Sequence, residues 1–428
     1  MNREIELDHI TKIEGHANLY VKVTHGKIKK VELRVVEGAR YFEGLLLNRD
    51  ATDAHYIASR ICGVCSQAHV VGALHAIEKA LGCKSTPQTE VLRELLLLGD
   101  ILESHVLHLY FLALPDYYAY SSALEFANSD PKILRAALVL KQTFNRIERV
   151  LGGREVHAVT PVVGGFSKLP TQEEINGLVK DLKKVEKMVL QVPGLIGSLD
   201  LPKFSRPCEH IAISRSNGSM FFGDEIKAMR NGKVFSIEEY KRNINEYVDF
   251  TTTSKEALFL GQSFMTSALS RLNIHYAKLS PVAKKLVAGS KVKFPNDSPF
   301  ANNFAQAIEL VEFYYRALKL LEGLKIKQEK PIPVKPRAGH GVSATEVPRG
   351  ILFHEYELNK SGSIKKCNII TPTSQNLHNI EEDVHAFLPT ILDKHEAAIK
   401  LELEKLIRAY DPCISCSTHF LSLKLDRE

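Results

Sequence analysis

Arg60-Ile61-Cys62-Gly63-Val64-Cys65, running on to His69, and Asp411-Pro412-Cys413-Ile414-Ser415-Cys416, running on to His419, stand near the two ends of the chain. Each carries two cysteines separated by two residues, a spacing that lets both sulfurs bind one ion, and thiolates select soft or borderline metals. On spacing alone the four sulfurs suit zinc or an iron-sulfur cluster. Zinc ribbons, however, keep their pairs some tens of residues apart, whereas almost the whole of this 428-residue chain lies between these two. If both pairs serve the same metals, the two ends must return to one centre. Closing so long a loop adds little, because the entropic cost grows only logarithmically with length. The expectation is one domain with lobes over residues 1–428, not the two or three domains that length alone favours.

Outward from the cysteines, residues up to about 40 alternate apolar and polar positions, as in Ala17-Asn-Leu-Tyr-Val-Lys-Val and Ile28-Lys-Lys-Val-Glu-Leu-Arg-Val-Val. Gly26 between them marks a turn, so this part reads as a small antiparallel sheet. Apolar residues three and four apart then predict helices over roughly 64–81, 88–113, 132–151, 172–192, 236–248, 300–322 and 382–409. Pro and Gly clusters at 160–165 and 331–336 break the pattern. The fold class expected is mainly α, a large helical bundle carrying a small N-terminal antiparallel sheet.

The formal charge of +6 is modest for this length, with Lys and Arg interleaved among Asp and Glu. Nucleic-acid binding has little support, and the basic stretch Lys325–Lys330 reads as a solvated connection. The most apolar run, Val91 to Tyr120, is interrupted by Arg93, Glu94, Asp100, Glu103, His105 and His108, so no membrane span is expected. His105 and His108 read as a packed helix face. An odd number of cysteines, seven, argues against a disulfide framework and for a reducing, cytoplasmic compartment. Cys83, Cys208 and Cys367 have no motif around them and read as small buried hydrophobes.

The flanks of the cysteine pairs resemble the large subunit of nickel-iron hydrogenases, with R-x-C-G-x-C near one end and D-P-C-x-x-C-x-x-H near the other. Lys12-Ile-Glu14-Gly-His16 resembles the family's I-E-G-H segment, and Arg40-Tyr-Phe-Glu43 its R-x-x-E segment. Leu112-Ala-Leu-Pro-Asp116 falls where the family has an aspartate after a long helix. Glu346-Val-Pro348-Arg349-Gly350 is similar to the E-x-P-R-G loop, and Pro372-Thr373-Ser374-Gln-Asn376 to the P-[ST]-T-x-N segment. These matches run in order along the chain.

The resemblance implies the nickel-iron hydrogenase large-subunit fold and a set of roles. Cys62 and Cys413 would bind nickel terminally, and Cys65 and Cys416 would bridge nickel to an iron carrying carbon monoxide and cyanide. Pro348, Arg349 and Thr373 or Ser374 would cradle those ligands, Ser374 standing where the family often has threonine. Splitting dihydrogen leaves a proton that needs a base within hydrogen-bond reach, and Glu14 matches the family's relay glutamate, with Cys413 as its partner. Read without the motif, Glu14 is a solvated carboxylate at a strand end. Asp116 and Asp411 match carboxylates beside the arginine, although Asp411 also suits a turn before Pro412. His69 matches a histidine that donates towards a bridging sulfur. Glu43 and His419 match ligands of a magnesium or second iron ion near the C-terminus.

Much of the family is cleaved just after the histidine of the C-terminal motif, whereas residues 420–428 continue here. The chain is thus an unprocessed precursor, with a nickel-delivery maturation protein as a partner, or a branch that keeps its tail. No further cysteine cluster supplies electron relays, so the resemblance implies a small subunit bearing iron-sulfur clusters. Shortness and motif variants look most like soluble hydrogenases that reach NAD(P) through a flavin-binding diaphorase, some of which reduce sulfur. The rivals are a deazaflavin-reducing or heterodisulfide-linked hydrogenase, the quinone-site subunit of respiratory complex I, which has lost these cysteines, and a zinc-stabilised scaffold subunit.

Overall fold

A computed structural model describes residues 3–38, 40–214, 221–248 and 252–418. Strands β1 (Arg3–Leu7), β2 (Ala17–Thr24) and β3 (Lys27–Val35) form the expected antiparallel sheet in that order. Ala17, Leu19, Val21 and Val23 on β2 are buried while their neighbours are not, the period-two pattern of a half-covered sheet. His25 and Gly26, both at positive φ, make the two-residue turn that suits the strands' twist.

Five of the seven expected helices are found with shifted ends, as α1 (Ser66–Leu81), α2 (Pro87–Val106), α3 (Pro131–Gly152), α4 (Gln172–Gly197) and, after a short α5 (Ala268–His275), α6 (Ala301–Gly323). Thr86 caps α2 by accepting from Thr89 N, with Pro87 in the first turn, a start that both residues favour. Beyond Val106 the helix widens into a π-type stretch over Leu107–Ala113. An 18-residue window within Pro87–Tyr117 has mean hydropathy 1.4, so the helix is long and apolar enough to cross a membrane, but 83% of that window is buried inside the protein. It packs between α3 and α6 as a core helix.

The span 382–409 is two helices, α7 (Pro372–Phe387) and α8 (Glu396–Ala409), because Pro389 cannot continue the first. Residues 236–248 are not a helix. One short turn, Tyr240–Asn243, leads into a strand, Ile244–Val248, paired antiparallel with Lys255–Phe259.

The larger correction is strand content: the chain is about half helix and a fifth strand. Strands β4 (Glu209–Ile213), β5 (Glu225–Ala228), β6 (Val234–Ser236), β7 (Ile244–Val248), β8 (Lys255–Phe259) and β9 (Phe264–Met265) fill the middle of the chain. Strands β10 (Gly339–Val347), β11 (Gly350–Leu358) and β12 (Ile364–Ile370) form an antiparallel meander against α1. The contact is close: a Cβ on Gly341 would lie 2.0 Å from the Ala76 carbonyl. This sheet, which the sequence reading did not expect, holds Pro348-Arg349 in the two-residue turn between β10 and β11, where Val347 pairs with Gly350.

Candidate metal centre

Cys62 and Cys65 meet Cys413 and Cys416 in the buried heart of the molecule. The four Sγ atoms lie within 4.8 Å of one another. Cys62 is 3.3 Å from Cys413, Cys65 is 3.4 Å from Cys416, and Cys413 is 2.8 Å from Cys416. Cys65 opens α1 and Cys62 lies in the extended step before it. The Val64 and Cys65 amides each donate to Cys62 Sγ at 3.2 Å, so the sulfur sits at the positive end of a helix. On the opposite side of the nest, Asp411 takes a left-handed φ of 53°, turning the chain out of α8. Cys413 N then donates to Thr373 Oγ1 at 2.9 Å.

Arg40 ties the two motifs together: its Nη2 donates to the Ile61 carbonyl at 2.6 Å and also to the Ser415 carbonyl. Burial opposes ionising any of the thiols. Hydrogen bonds from Cys413, Cys416 and Cys65, with the Arg349 charge, outweigh it at Cys62 and hold that thiol well below its ordinary value. Burial and the neighbouring sulfurs push Cys413 well up. Protein groups alone thus favour one thiolate among four, and a bound cation is what would deprotonate the rest.

Arg349 is 3% exposed. It donates from Nε to the Asp411 carbonyl at 2.6 Å, from Nη2 to Asp411 Oδ1 at 2.9 Å and from Nη1 to Ser104 Oγ at 3.3 Å. The turn carrying it is fixed by Arg271 of α5, which donates to the Val347 and Pro348 carbonyls and pairs with Glu309 and Glu346. Gln306 Nε2 reaches Asp411 Oδ2 at 3.0 Å.

Glu14 approaches from the N-terminal segment. The Cys413 thiol donates to its Oε2 at 3.1 Å and Ser415 N donates to the same oxygen at 3.0 Å. Burial, with the Cys62 charge, raises its pKa against the lowering by Ser415 and Cys413. It is not the solvated strand-end carboxylate of the alternative reading. His69 Nδ1 lies 3.2 Å from His354 Nε2, and His354 Nδ1 lies 2.9 Å from Tyr356 Oη. Thr373 is buried in the same layer, while the Ser374 hydroxyl donates to the Thr371 carbonyl at 2.7 Å.

Asp116 is not beside Arg349. Its carboxylate pairs with Arg408 at 2.5 Å and Lys12 at 2.5 Å, tying α8 to the N-terminal segment. The groups of α2 that face the arginine's side are Ser104 and Asp100. Asp100 is fully buried, accepts from Gln67 N at 3.3 Å, and has no hydrogen-bond partner for Oδ2 among the described residues. Burial and the Cys62 charge push its pKa well up. Sequence reading passed over Asp100, Ser104, Arg271, Gln306, Glu309 and His354. For Asp100 and Ser104 the polar interruptions of the apolar run 91–120 were the available signal; the other four lie outside that run. His105 and His108 are buried but polar-bonded, His105 to Glu309 at 2.9 Å and His108 to Gln306 at 2.5 Å.

Glu43 lies apart from the sulfurs. Its oxygens stand 3.1 and 3.2 Å from the Lys255 ammonium, and Oε1 accepts from Ile369 N at 2.8 Å. Its expected partner, His419, lies outside the described residues.

Comparison with known proteins decides the family. Residues 40–135 and 259–419 match the model of nickel-dependent hydrogenases. The chain belongs to that family. The alpha subunit of sulfhydrogenase 1 from Pyrococcus furiosus is 36% identical over 427 residues, covering 98% of both chains. One subunit of the F420-non-reducing vhu hydrogenase from Methanocaldococcus jannaschii is 28% identical, covering 89% of this chain and 97% of that one. An NAD+-reducing NiFe hydrogenase in its H2-reduced state superposes with a TM-score of 0.85 at 23% identity, covering 97% of this chain and 99% of that one. This nickel-dependent hydrogenase chain is the catalytic subunit of an oxidoreductase acting on hydrogen, and its four-sulfur nest suits the soft metals that thiolates select.

Proposed function

We propose that this chain splits dihydrogen reversibly at a nickel-iron pair in a soluble, cytoplasmic complex. The electrons leave through a small subunit bearing iron-sulfur clusters and then a flavin-bearing diaphorase to NAD(P), with sulfur reduction as a second outlet. What carries the reading is the convergence of four sulfurs from both ends of the chain, with Glu14 on one of them. The same convergence supports one domain over residues 1–428.

Cys62 and Cys413 would hold nickel, and Cys65 and Cys416 would bridge it to iron bearing carbon monoxide and cyanide. When bound, that pair supplies an electron-rich redox centre that polarises dihydrogen and accepts its two electrons. The chain's own groups handle the proton and the diatomic ligands. Cys413 Sγ passes the proton to Glu14 Oε2, within the 3.1 Å contact already present. Arg349, oriented by Asp411, offers a fixed guanidinium to a cyanide nitrogen. Thr373, which accepts from Cys413 N, keeps a hydroxyl proton to donate, whereas Ser374's is engaged by Thr371. Pro348 and the buried β10–β11 turn help to exclude water. A Tyr356 hydroxyl donating to His354, and His354 donating to His69 Nδ1, leaves His69 Nε2 as the donor towards a bridging sulfur. Asp116 positions α8 through Arg408, and so acts at one remove.

Glu43 and His419 complete the proposal as ligands of a magnesium or second iron ion. For Glu43 this requires the Lys255 ammonium to swing off the carboxylate. The segment after Arg40 exposes Tyr41, Leu45 and Leu47 close to the motifs that Arg40 joins, a fitting face for the small subunit. If residues 420–428 are removed on maturation, a nickel-delivery protein is a further partner.

Infrared spectra of the purified complex in the cyanide and carbonyl stretching region, with elemental analysis, test the centre. Bands with nickel and iron are expected; zinc without nickel would mark a scaffold. Assays with NAD+, NADP+ and a deazaflavin test the acceptor. The likeness to an F420-non-reducing relative favours a heterodisulfide-linked complex as the second reading, and hydrogen uptake with none of the three acceptors would support it.

A further inference from the structure

Cys208, expected to be a packing cysteine, has a setting that packing does not explain. It lies two residues before His210 on β4, and its Sγ is 3.6 Å from His210 Nε2. His210 Nδ1 lies 3.0 Å from Ser270 Oγ, while the Ser270 hydroxyl donates to the Met265 carbonyl at 2.9 Å. Ser270 therefore accepts from His210, which fixes a proton on Nδ1. Nε2 faces the Cys208 sulfur on one side and Asp297 Oδ1, 3.6 Å away, on the other. Arg230 clamps both, donating to Asp297 Oδ2 at 2.5 Å and to the Cys208 carbonyl at 2.7 Å.

Two acceptors lie around Nε2 while Nδ1 already carries a proton, which favours the imidazolium. Burial opposes that charge, but Cys208 and Asp297 outweigh it and hold His210 up at about 9. The other ionisable groups whose charges reach Cys208 are Arg206, Arg230 and Tyr410. Cys208 is 8% exposed and lines an open pocket of about 720 Å³ shared with Arg206, Arg230, Gln262 and His378. None of these residues belongs to the metal centre. A cysteine held against an imidazolium at the wall of a pocket is placed to act as a nucleophile.

We propose that Cys208 is a nucleophilic thiolate that exchanges with electrophilic sulfur, as found in small disulfides and polysulfides. The Cys208 sulfur attacks one sulfur of an S–S bond, a new S–S bond to Cys208 forms and the old one breaks. The leaving thiolate takes the Nε2 proton of His210. The incoming S–S bond is the oxidant: Cys208 is oxidised to the disulfide level as the departing sulfur is reduced to a thiol.

The test treats the intact complex with an aromatic disulfide and, separately, with inorganic polysulfide, and maps modified cysteines by mass spectrometry. Cys208 is expected to react about tenfold faster than Cys83 and Cys367 between pH 6 and 8, at a rate nearly flat with pH. His210→Gln should remove that advantage and restore a rate that climbs with pH, while Cys208→Ser should leave dye-linked hydrogenase activity unchanged. Reaction with only one reagent identifies the source of the sulfur and supports the proposal. Cys208 reacting no faster than Cys83 and Cys367 with either reagent would overturn it, as would a folded His210→Gln variant that reacts as fast as the parent. If that variant does not fold, the pH profile of the parent with iodoacetamide decides, and a rate climbing only above pH 8 counts against the proposal.

Discussion

Cys62 Sγ lies 3.3 Å from Cys413 Sγ although 351 positions separate them in the chain. The backbone around each is held by Arg40, whose Nη2 reaches the carbonyls of both Ile61 and Ser415. Hydrogen bonds to a charged group contribute about 1.5–3 kcal/mol each, and these two act across a loop that spans most of the protein. Arg40→Ala is expected to lower the thermal midpoint and to reduce nickel content together, whereas Arg40→Lys, unable to span both carbonyls, should fall between. Calorimetry and elemental analysis on one preparation check this; full nickel content in Arg40→Ala would separate the clamp from the metal site.

Glu14 is held by Cys413 and Ser415, at the thiol, the amide and the hydroxyl. Glu14→Gln keeps the shape and the contact with Ser415 N but cannot cycle a proton. General acid–base groups contribute about 10²–10⁴-fold, so hydrogen oxidation should fall by that order while nickel and iron content and the infrared bands stay. Loss of the metals in Glu14→Gln would instead make the carboxylate structural.

The N-terminal sheet, α3 and α4 were legible because one face of each is covered and the other is not, so the period survives in the sequence. Strands β10 and β11 are largely buried on both faces, and buried polar residues such as Ser343, Thr345, Glu346 and His354 break any simple alternation, so the stretch reads as neither strand nor helix. Residues 244–248 carry apolar spacing compatible with either form, and their pairing with 255–259 decides it. At the site, the cysteines, Glu14, Arg349 and Asp411 come together as their motifs implied. Asp116 did not, because which carboxylate faces an arginine depends on helix rotation, and Arg408 of α8 takes this one instead. Asp100 and Ser104, on the right face of α2, carry no motif at all.

Glu309 supports the Arg349 turn from behind, through Arg271 and His105. Burial alone would raise its pKa, but the charge and hydrogen bonds of Arg271, with His105, hold it at about 2, below the ordinary 4.5. A lowered carboxyl contributes stability that is present above about pH 4.5 and is lost as the pH falls through about 2. The difference corresponds to roughly 3 kcal/mol at neutral pH. Glu309→Gln should be less stable than the parent at pH 7 by about 3–5 kcal/mol, since Arg271 loses a buried partner, and its stability should vary less between pH 4.5 and 2. Denaturant unfolding across that window reads both effects; parallel pH curves would show that Glu309 does not set the acid limb.

Arg349 makes two separate contacts with Asp411, to its backbone carbonyl through Nε and to Oδ1 through Nη2. Lysine keeps the charge but presents no planar fork, so it cannot hold both oxygens in one orientation. Arg349→Lys is therefore expected to retain folding and nickel, because the charge that favours the Cys62 thiolate remains. The orientation of the donor over the site is lost, and removing one such fixed donor costs about 10²–10³ in turnover where charge develops. Asp411→Asn leaves the carbonyl contact intact and should cost less. Steady-state hydrogen oxidation with an artificial acceptor, normalised to nickel content, ranks the two. If Asp411→Asn proves the more damaging, the carboxylate itself, and not the aim of the guanidinium, is what the site requires.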